Sequence, residues 1–265
     1  MKQKTSPDIR TVKLIRYVQP FREGGSLPAL MDADDGFSYV IKFRGAGQGK
    51  KALIAELLGG EIAKNIGLRV PEIVFAELDE SFGRLEPDEE IQDLLKFSVG
   101  NNLGVSYLKG AITFDPNVNT IDHEQASKIV WLDALLMNVD RTVRNTNMLI
   151  WNKDLWLIDH GASLYFHHNW PAWQEQMEKP FVQIKDHVLL KQATQVSEMD
   201  SEIKKLLTPA IISELVDLIP HEWLDHPESS GVEESKTVYK KFLSWRLENS
   251  NVFINQINHA RESRI

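Results

Sequence analysis

The chain opens on alternation. Val12, Leu14, Arg16 and Val18 fall on one side of an extended segment, with Ile15 and Tyr17 on the other, which predicts a strand. A second short apolar run covers 27–31. Asp32 to Gly36 is rich in turn formers, and 37–43, dense in aromatic and β-branched residues, is the clearest strand. Connections this short join antiparallel neighbours, so the three strands form a meander. Residues 51–66 predict a helix in which Leu53, Leu57 and Ala63 share a face, ended by Gly67 with Pro71 beyond. The Gly59-Gly60 pair inside it lowers helix propensity by ~1 kcal/mol per glycine relative to alanine, which is tolerable where something packs against the bare backbone. A strand follows over 70–78. Residues 79–105 show no clear period, and their acidic start, 79–92, reads as a solvated loop.

The pattern changes near Lys109-Gly110. Residues 123–138 predict a helix with Ile129, Leu132 and Leu136 along one stripe. Two apolar runs, 147–151 and 155–159, flank Asn152-Lys153-Asp154 as a β-hairpin. Residues 198–218 and 236–263 read as amphipathic helices. A β-rich first part with one helix, followed by a helical second part containing a hairpin, is an α+β arrangement of two lobes. A cleft between such lobes is a natural ligand site.

Composition narrows this picture. The 265 residues, 42% hydrophobic and 26% charged, suit one large domain or two small ones and exclude general disorder. A net charge of −8 gives no broad basic footprint, so direct nucleic-acid binding is not expected. Without cysteine there is no disulfide framework, no thiolate metal site and no thiol nucleophile. No apolar run reaches the ~20 residues of a membrane span; the best, 129–139, is short and carries Asp133. The first ten residues hold basic side chains with no apolar segment behind them, unlike a secretory signal, so a cytoplasmic location is the expectation.

The informative stretch is 138–166. A long helix runs into Asp140-Arg141, Asn145 lies five residues after Asp140, and the hairpin delivers Asp159-His160-Gly161 at the end of its second strand. Chain reversal in the hairpin can return Asp159 to the side of Asp140 and Asn145. Oxygen ligands from Asn145 and Asp159 suit a hard cation such as Mg²⁺, with phosphates completing its shell. Asp140 is then free to orient or deprotonate an attacking hydroxyl. Asn147, next to the first hairpin strand, is a second candidate for the metal amide. A solvated Asp140–Arg141 ion pair is the plain alternative for Asp140 taken alone. The His167-His168 pair reads as polar surface, Trp170 and Trp173 as local packing, and His160 as packed near the metal loop. The histidines have no zinc-site spacing.

These motifs resemble the catalytic loop, hairpin and metal-binding Asp-x-Gly of the protein kinase-like fold. Within it they look most like the HipA-like kinases, and more closely the small stand-alone group with an Asp-Arg-Thr catalytic loop and Ile-Asp-His-Gly. The resemblance covers roughly residues 10–220 and is strongest over 131–166 and Gly24 to Pro71. It implies a two-lobed protein kinase-like α+β fold, with an N-lobe over 1–106 and a C-lobe over 107–265 joined by a hinge from Tyr107 to Gly110. It also implies ATP- and Mg²⁺-dependent phosphoryl transfer to a hydroxyl, with a protein Ser/Thr favoured. Lys42, in Tyr39-Val40-Ile41-Lys42, matches the phosphate-binding lysine, and Val40 on the same strand face would floor the adenine pocket. Glu56, fourteen residues on, is the carboxylate to pair with Lys42, and Glu61 is its competitor. Gly24, Gly25 and Ser26 fall where the glycine-rich loop covers the phosphates, and Tyr107 and Leu108 where the hinge meets the base. The chain departs from the ordinary protein-kinase pattern: only two glycines stand in that loop, Asn138-Val139 precedes Asp140, and the metal motif is Asp-His-Gly. Rival readings are a lipid or small-molecule kinase, and a nucleotide-binding pseudokinase acting as a scaffold.

Overall fold

The computed structural model describes residues 8–21, 27–225 and 229–263. Five strands close into a barrel in the order β1-β2-β3-β5-β4. They are β1 (Thr11–Pro20), β2 (Ala29–Ala33), β3 (Ser38–Lys42), β4 (Ile73–Leu78) and β5 (Gly100–Ser106). The expected meander is present, since β1–β2 and β2–β3 are antiparallel pairs. Closure comes from β4 lying parallel to β1, with Val12 opposite Ala76. Alternation along β3 explains its two faces: Tyr39 and Ile41 are buried in the barrel, and Val40 and Lys42 point to the other side.

Helix α1 (Gly49–Asn65) follows β3 and ends at Gly67, whose φ of +83° is the left-handed conformation that glycine adopts without strain. Both glycines inside α1 are explained by close approach. A Cβ on Gly59 would stand 2.6 Å from the His160 Cβ, and one on Gly60 would meet Ile73 Cδ1.

Residues 79–92 are not the expected loop. They contribute α2 (Phe82–Leu85) and the start of α3 (Glu89–Phe97), which Asp88 caps by accepting from the backbone N–H of Glu90 and Ile91. Ile91 and Leu95 on one side of α3 join the barrel's apolar core, leaving the acids in water.

In the helical part, α4 (His123–Leu136) is buried along most of its length and ends at Met137 with φ +55°. The hairpin of β7 (Met148–Trp151) and β8 (Asp154–Leu157) gains a third strand, β6 (Ile112–Thr113), that the sequence did not reveal. Its turn residues Asn152 and Lys153 both have positive φ, which matches the twist of a two-residue hairpin. After the short α5 (Trp173–Met177), the segment expected as one helix over 198–218 is two: α6 (Val196–Leu206) and α7 (Pro209–Asp217). Pro209 cannot continue a helix but starts one, and Thr208 caps it through the Ile211 N–H. The expected 236–263 helix likewise divides, at Asn249-Ser250, into α8 (Val232–Glu248) and α9 (Asn251–Glu262).

The segment after α7 ties the helical part to the barrel. Trp223 packs edge-on against Phe75 of β4 and donates to the Asn101 carbonyl, while Glu222 pairs with Arg44. Buried Arg246 donates to the Ala134 and Leu135 carbonyls, capping the helix that leads into the Asp140 loop. His167 corrects the surface-pair expectation: it is fully buried, its Nδ1 lies 3.1 Å from the Tyr239 hydroxyl, and only His168 faces water. Trp170 is packed against Phe166 and Tyr239.

Candidate active site

A cavity of about 1090 Å³ separates the barrel and α1 from the helical part, and its walls include Lys42, Asp140, Asn145, Asn147 and Asp159. Lys42 stands at the end of β3 with its Nζ 2.7 Å from Glu56 Oε2 and 2.5 Å from Asp159 Oδ1. Burial alone would lower the Lys42 pKa, but the two carboxylates outweigh it and raise it, so the ammonium stays charged. Lys42 in turn holds the Asp159 carboxyl below the usual carboxylate range. Glu56 does more than pair with Lys42. Its Oε2 also accepts the His160 backbone N–H at 2.6 Å, fastening α1 to the Asp-His-Gly turn. Glu61, the competitor, pairs instead with Lys64.

Asp159 has φ +56°, which turns its carboxylate into the cavity while His160 goes under α1 against Gly59. Burial pushes the His160 pKa down to about 4, so the ring is neutral there. Asp140 Oδ2 accepts from the Asn145 amide at 2.7 Å and from the Asn147 amide at 3.3 Å. Asn147, buried and with φ +48°, also reaches the Asp159 carbonyl at 3.4 Å. Both candidate amides therefore meet at Asp140.

Arg141 is not the solvated partner of Asp140. It is buried, and its Nε donates at 2.5 Å to Asp133, which lies inside α4. The Asp133 carboxylate also accepts from the Asn138 amide and from His187 Nε2, each at 2.9 Å. Burial alone would raise the Asp133 pKa; Arg141 and His187 hold it far below the ordinary value. The other end of Arg141 donates to the Asn147 carbonyl, and Asn138 Oδ1 accepts the Asp140 N–H at 3.1 Å. This buried cluster thus sets the loop that carries Asp140 and both amides. Its one signal in the sequence is Asp133, a lone charge in an apolar run, which must find a partner when buried. Nothing local marks His187.

Val40, Tyr107 and Leu108 do not line this cavity. Val40 lies two positions before Lys42, about 7 Å along the strand, opposite Val105 of β5. The Tyr107 N–H is bonded to the Ser38 carbonyl. Gly24, Gly25 and Ser26 lie outside the described residues. A glycine loop the sequence reading passed over does line the cavity: Gly47 to Gly49, just before Lys50-Lys51, at the start of α1. The signal was there, since Gly45, Gly47 and Gly49 alternate. The first turn of α1 has no acidic residue and no side-chain cap.

A β barrel with α1 packed beside it, set against a helical unit, with a lysine–glutamate–aspartate cluster facing Asp140, defines a two-lobed enzyme of the protein kinase-like fold. The sequence profile of the HipA-like kinases matches residues 14–253, and the chain belongs to that family of phosphotransferases. Among solved structures, the Helicobacter pylori proinflammatory kinase CtkA superposes with a TM-score of 0.58 at 12% identity, covering 97% of this chain and 99% of that one. That likeness establishes the fold. A Golgi casein kinase solved with Mn/ADP gives 0.46 at 12% identity, over 98% of this chain and 74% of its own. No curated protein sequence matches the chain.

Proposed function

We propose that the chain transfers the terminal phosphoryl group of ATP, with Mg²⁺, to a hydroxyl of a protein serine or threonine. The observation that carries this reading is the meeting of Lys42, Glu56 and Asp159 with Asp140 and Asn145 around one cavity. Lys42 would engage the α- and β-phosphates, with Glu56 holding it in place. Residues 1–106 would form the nucleotide lobe and 107–265 the catalytic lobe, with the phosphates in this cavity beside Lys42 and the base at Val40, Tyr107 and Leu108, outside its walls.

The residues present fit Mg²⁺. Lys42 occupies Asp159 Oδ1, which leaves Oδ2 for a cation, and the Asn145 or Asn147 amide adds a second oxygen. Among the described residues no three His, Asp or Glu side chains are placed to hold a metal ion together. That suits an ion held by one carboxylate, an amide and phosphates rather than by a protein cage. When bound, Mg²⁺ neutralises charge developing on the phosphates. Asp140 does the rest from the protein side: its carboxylate, oriented by two amides, accepts the proton of the attacking hydroxyl.

The test is transfer from labelled ATP to protein, lipid and metabolite pools, with Mg²⁺ varied. Mg²⁺-dependent labelling of protein is the expected result. Labelling confined to lipids or metabolites would overturn the acceptor class. ATP binding without any transfer would overturn the enzymatic reading in favour of a scaffold.

A further inference from the structure

The charges on the cavity wall are unevenly committed. Asp140 is held by two amides, Asp159 by Lys42, and Asp115 by the backbone N–H and side-chain amide of Asn117. Of the two cations that line the cavity among the described residues, Lys42 is bound between carboxylates. The other, Arg144, is exposed and makes no ion pair or side-chain hydrogen bond among the described residues. It lies four residues after Asp140 and directly before Asn145.

That position decides what Arg144 can meet. An acceptor hydroxyl must come within about 3 Å of the Asp140 carboxylate. The flanking atoms of the acceptor then pass over the short loop from Asp140 to Asn145, which carries Arg144 on its solvent side. Thr142 N–H bonds to the Asp140 and Asn145 carbonyls hold that loop tight, so Arg144 stands on a fixed mount. A guanidinium offers a planar fork of donors that matches a carboxylate or a phosphate and stays charged at every relevant pH. The molecule as a whole is acidic, at −8, and repels anions at long range, so a local cation beside the base is what would let an anionic acceptor dock.

We propose that Arg144 determines acceptor specificity by binding an anionic group, carboxylate or phosphate, close to the hydroxyl that receives the phosphoryl group. This rests on the reading of the acceptor as a protein serine or threonine. The substrate class it defines is a Ser/Thr polypeptide flanked by aspartate, glutamate or an already phosphorylated residue.

The experiment compares the full chain with Arg144→Ala, Arg144→Glu and Arg144→Lys on Ser/Thr peptide libraries. Flanking positions carry Asp/Glu, phosphoserine, neutral residues or Lys/Arg. Wild type should favour the acidic sets in kcat/KM by about tenfold, as expected for one charge-assisted hydrogen bond in a half-open site. The preference should weaken with salt. Arg144→Ala should lose it mainly through KM for the acidic peptides, Arg144→Lys should retain part of it, and Arg144→Glu should turn it towards basic flanks. The Asp/Glu and phosphoserine arms separate the two anion sources. A wild type indifferent to flanking charge, or an acid preference that survives in Arg144→Glu, would overturn the assignment while leaving protein phosphorylation intact. Failure of the underlying acceptor reading looks different: no peptide of any charge is labelled while lipid or metabolite pools are, and that result removes the peptide proposal with it.

Discussion

Two charged clusters meet the loop that carries Asp140, one open to the cavity and one sealed, and they are built for different tasks. Lys42 and Asp159 face the cavity, with the Asp159 side chain 48% exposed and Glu56 buried behind them. Asp133, Arg141 and His187 are sealed, with side-chain exposures of 0%, 0% and 2%. In the open cluster one carboxylate oxygen is still available, so the arrangement can reorganise around an anion and a cation. In the sealed cluster the carboxylate accepts from Asn138 and Arg141, just beyond the end of its own helix, and from His187, 54 residues away, so the turn after α4 is tied to a distant segment. A buried ion pair is worth little as a net source of stability when compared with apolar packing, but removing one member leaves a stranded charge. The sealed cluster therefore reads as positioning and the open one as chemistry, and mutation can separate them.

The largest effect should come from Asp133→Ala. Arg141 and His187 would be left without their acceptor, at a cost of about 3–5 kcal/mol. Urea denaturation should show a much lower midpoint, and nucleotide binding and turnover should fall together. Asp159→Asn should behave in the opposite way. Lys42 keeps Glu56, so the unfolding free energy from the same titration should fall by no more than about 1 kcal/mol. Mg²⁺-dependent nucleotide binding should weaken and turnover should vanish. Asp140→Asn is expected to leave Mg²⁺-ATP binding nearly intact and lower single-turnover transfer by ~10²-fold or more. Calorimetry and rapid-quench assays on the three variants check this order. An Asp133→Ala protein with normal stability, or full turnover in Asp140→Asn, would erase the distinction between the clusters.

What the sequence made legible follows the same division. Lys42, Asp140 and Asp159 each sit in a short run with strong local character: an alternating strand, a helix end, a hairpin. The proximity of Asp140 and Asp159 follows from local structure plus one chain reversal, whereas Lys42, 117 residues before Asp159, is placed beside them only by the family resemblance. The choice of Glu56 over Glu61 rests on the family resemblance, whose pattern sets the distance from that carboxylate to the segment from Gly67 to Pro71. The sealed cluster was hidden because His187 is 54 residues from Asp133 and belongs to an irregular segment with no period. The third helix was hidden for another reason: its acids suggested solvent, while only Ile91 and Leu95 carry the apolar stripe. The breaks at Pro209 and Asn249 were legible residue by residue, but an apolar period that continues across a break outweighs a single proline in a pattern reading. The barrel's closure by a parallel β1–β4 pair had no local signature at all, because it joins strands separated by a helix.

The smallest effect sharpens the comparison further, because it concerns a proton rather than a deleted group. His187 donates through Nε2 to Asp133 and accepts the Leu189 N–H at Nδ1, so the folded chain holds it as a neutral tautomer with both nitrogens used. Burial lowers its pKa; Asp133 opposes that shift and Arg141 adds to it. In the unfolded chain the same ring titrates near 6.5. Below that pH the unfolded state binds a proton that the folded state refuses, so unfolding becomes easier as pH falls, by up to about 1.4 kcal/mol per pH unit for one proton. The contribution is present above the unfolded value and is lost as pH drops through it. His160, also buried and held to about 4, adds a slope of the same sign. The two are separated by His187→Gln, whose amide can still donate to Asp133 but does not titrate. Urea midpoints measured between about pH 7 and pH 5 should fall in both proteins, and fall less steeply in the variant. Equal slopes would mean that His187 takes up its proton without disturbing the cluster, and that the sealed site is more open than its burial indicates.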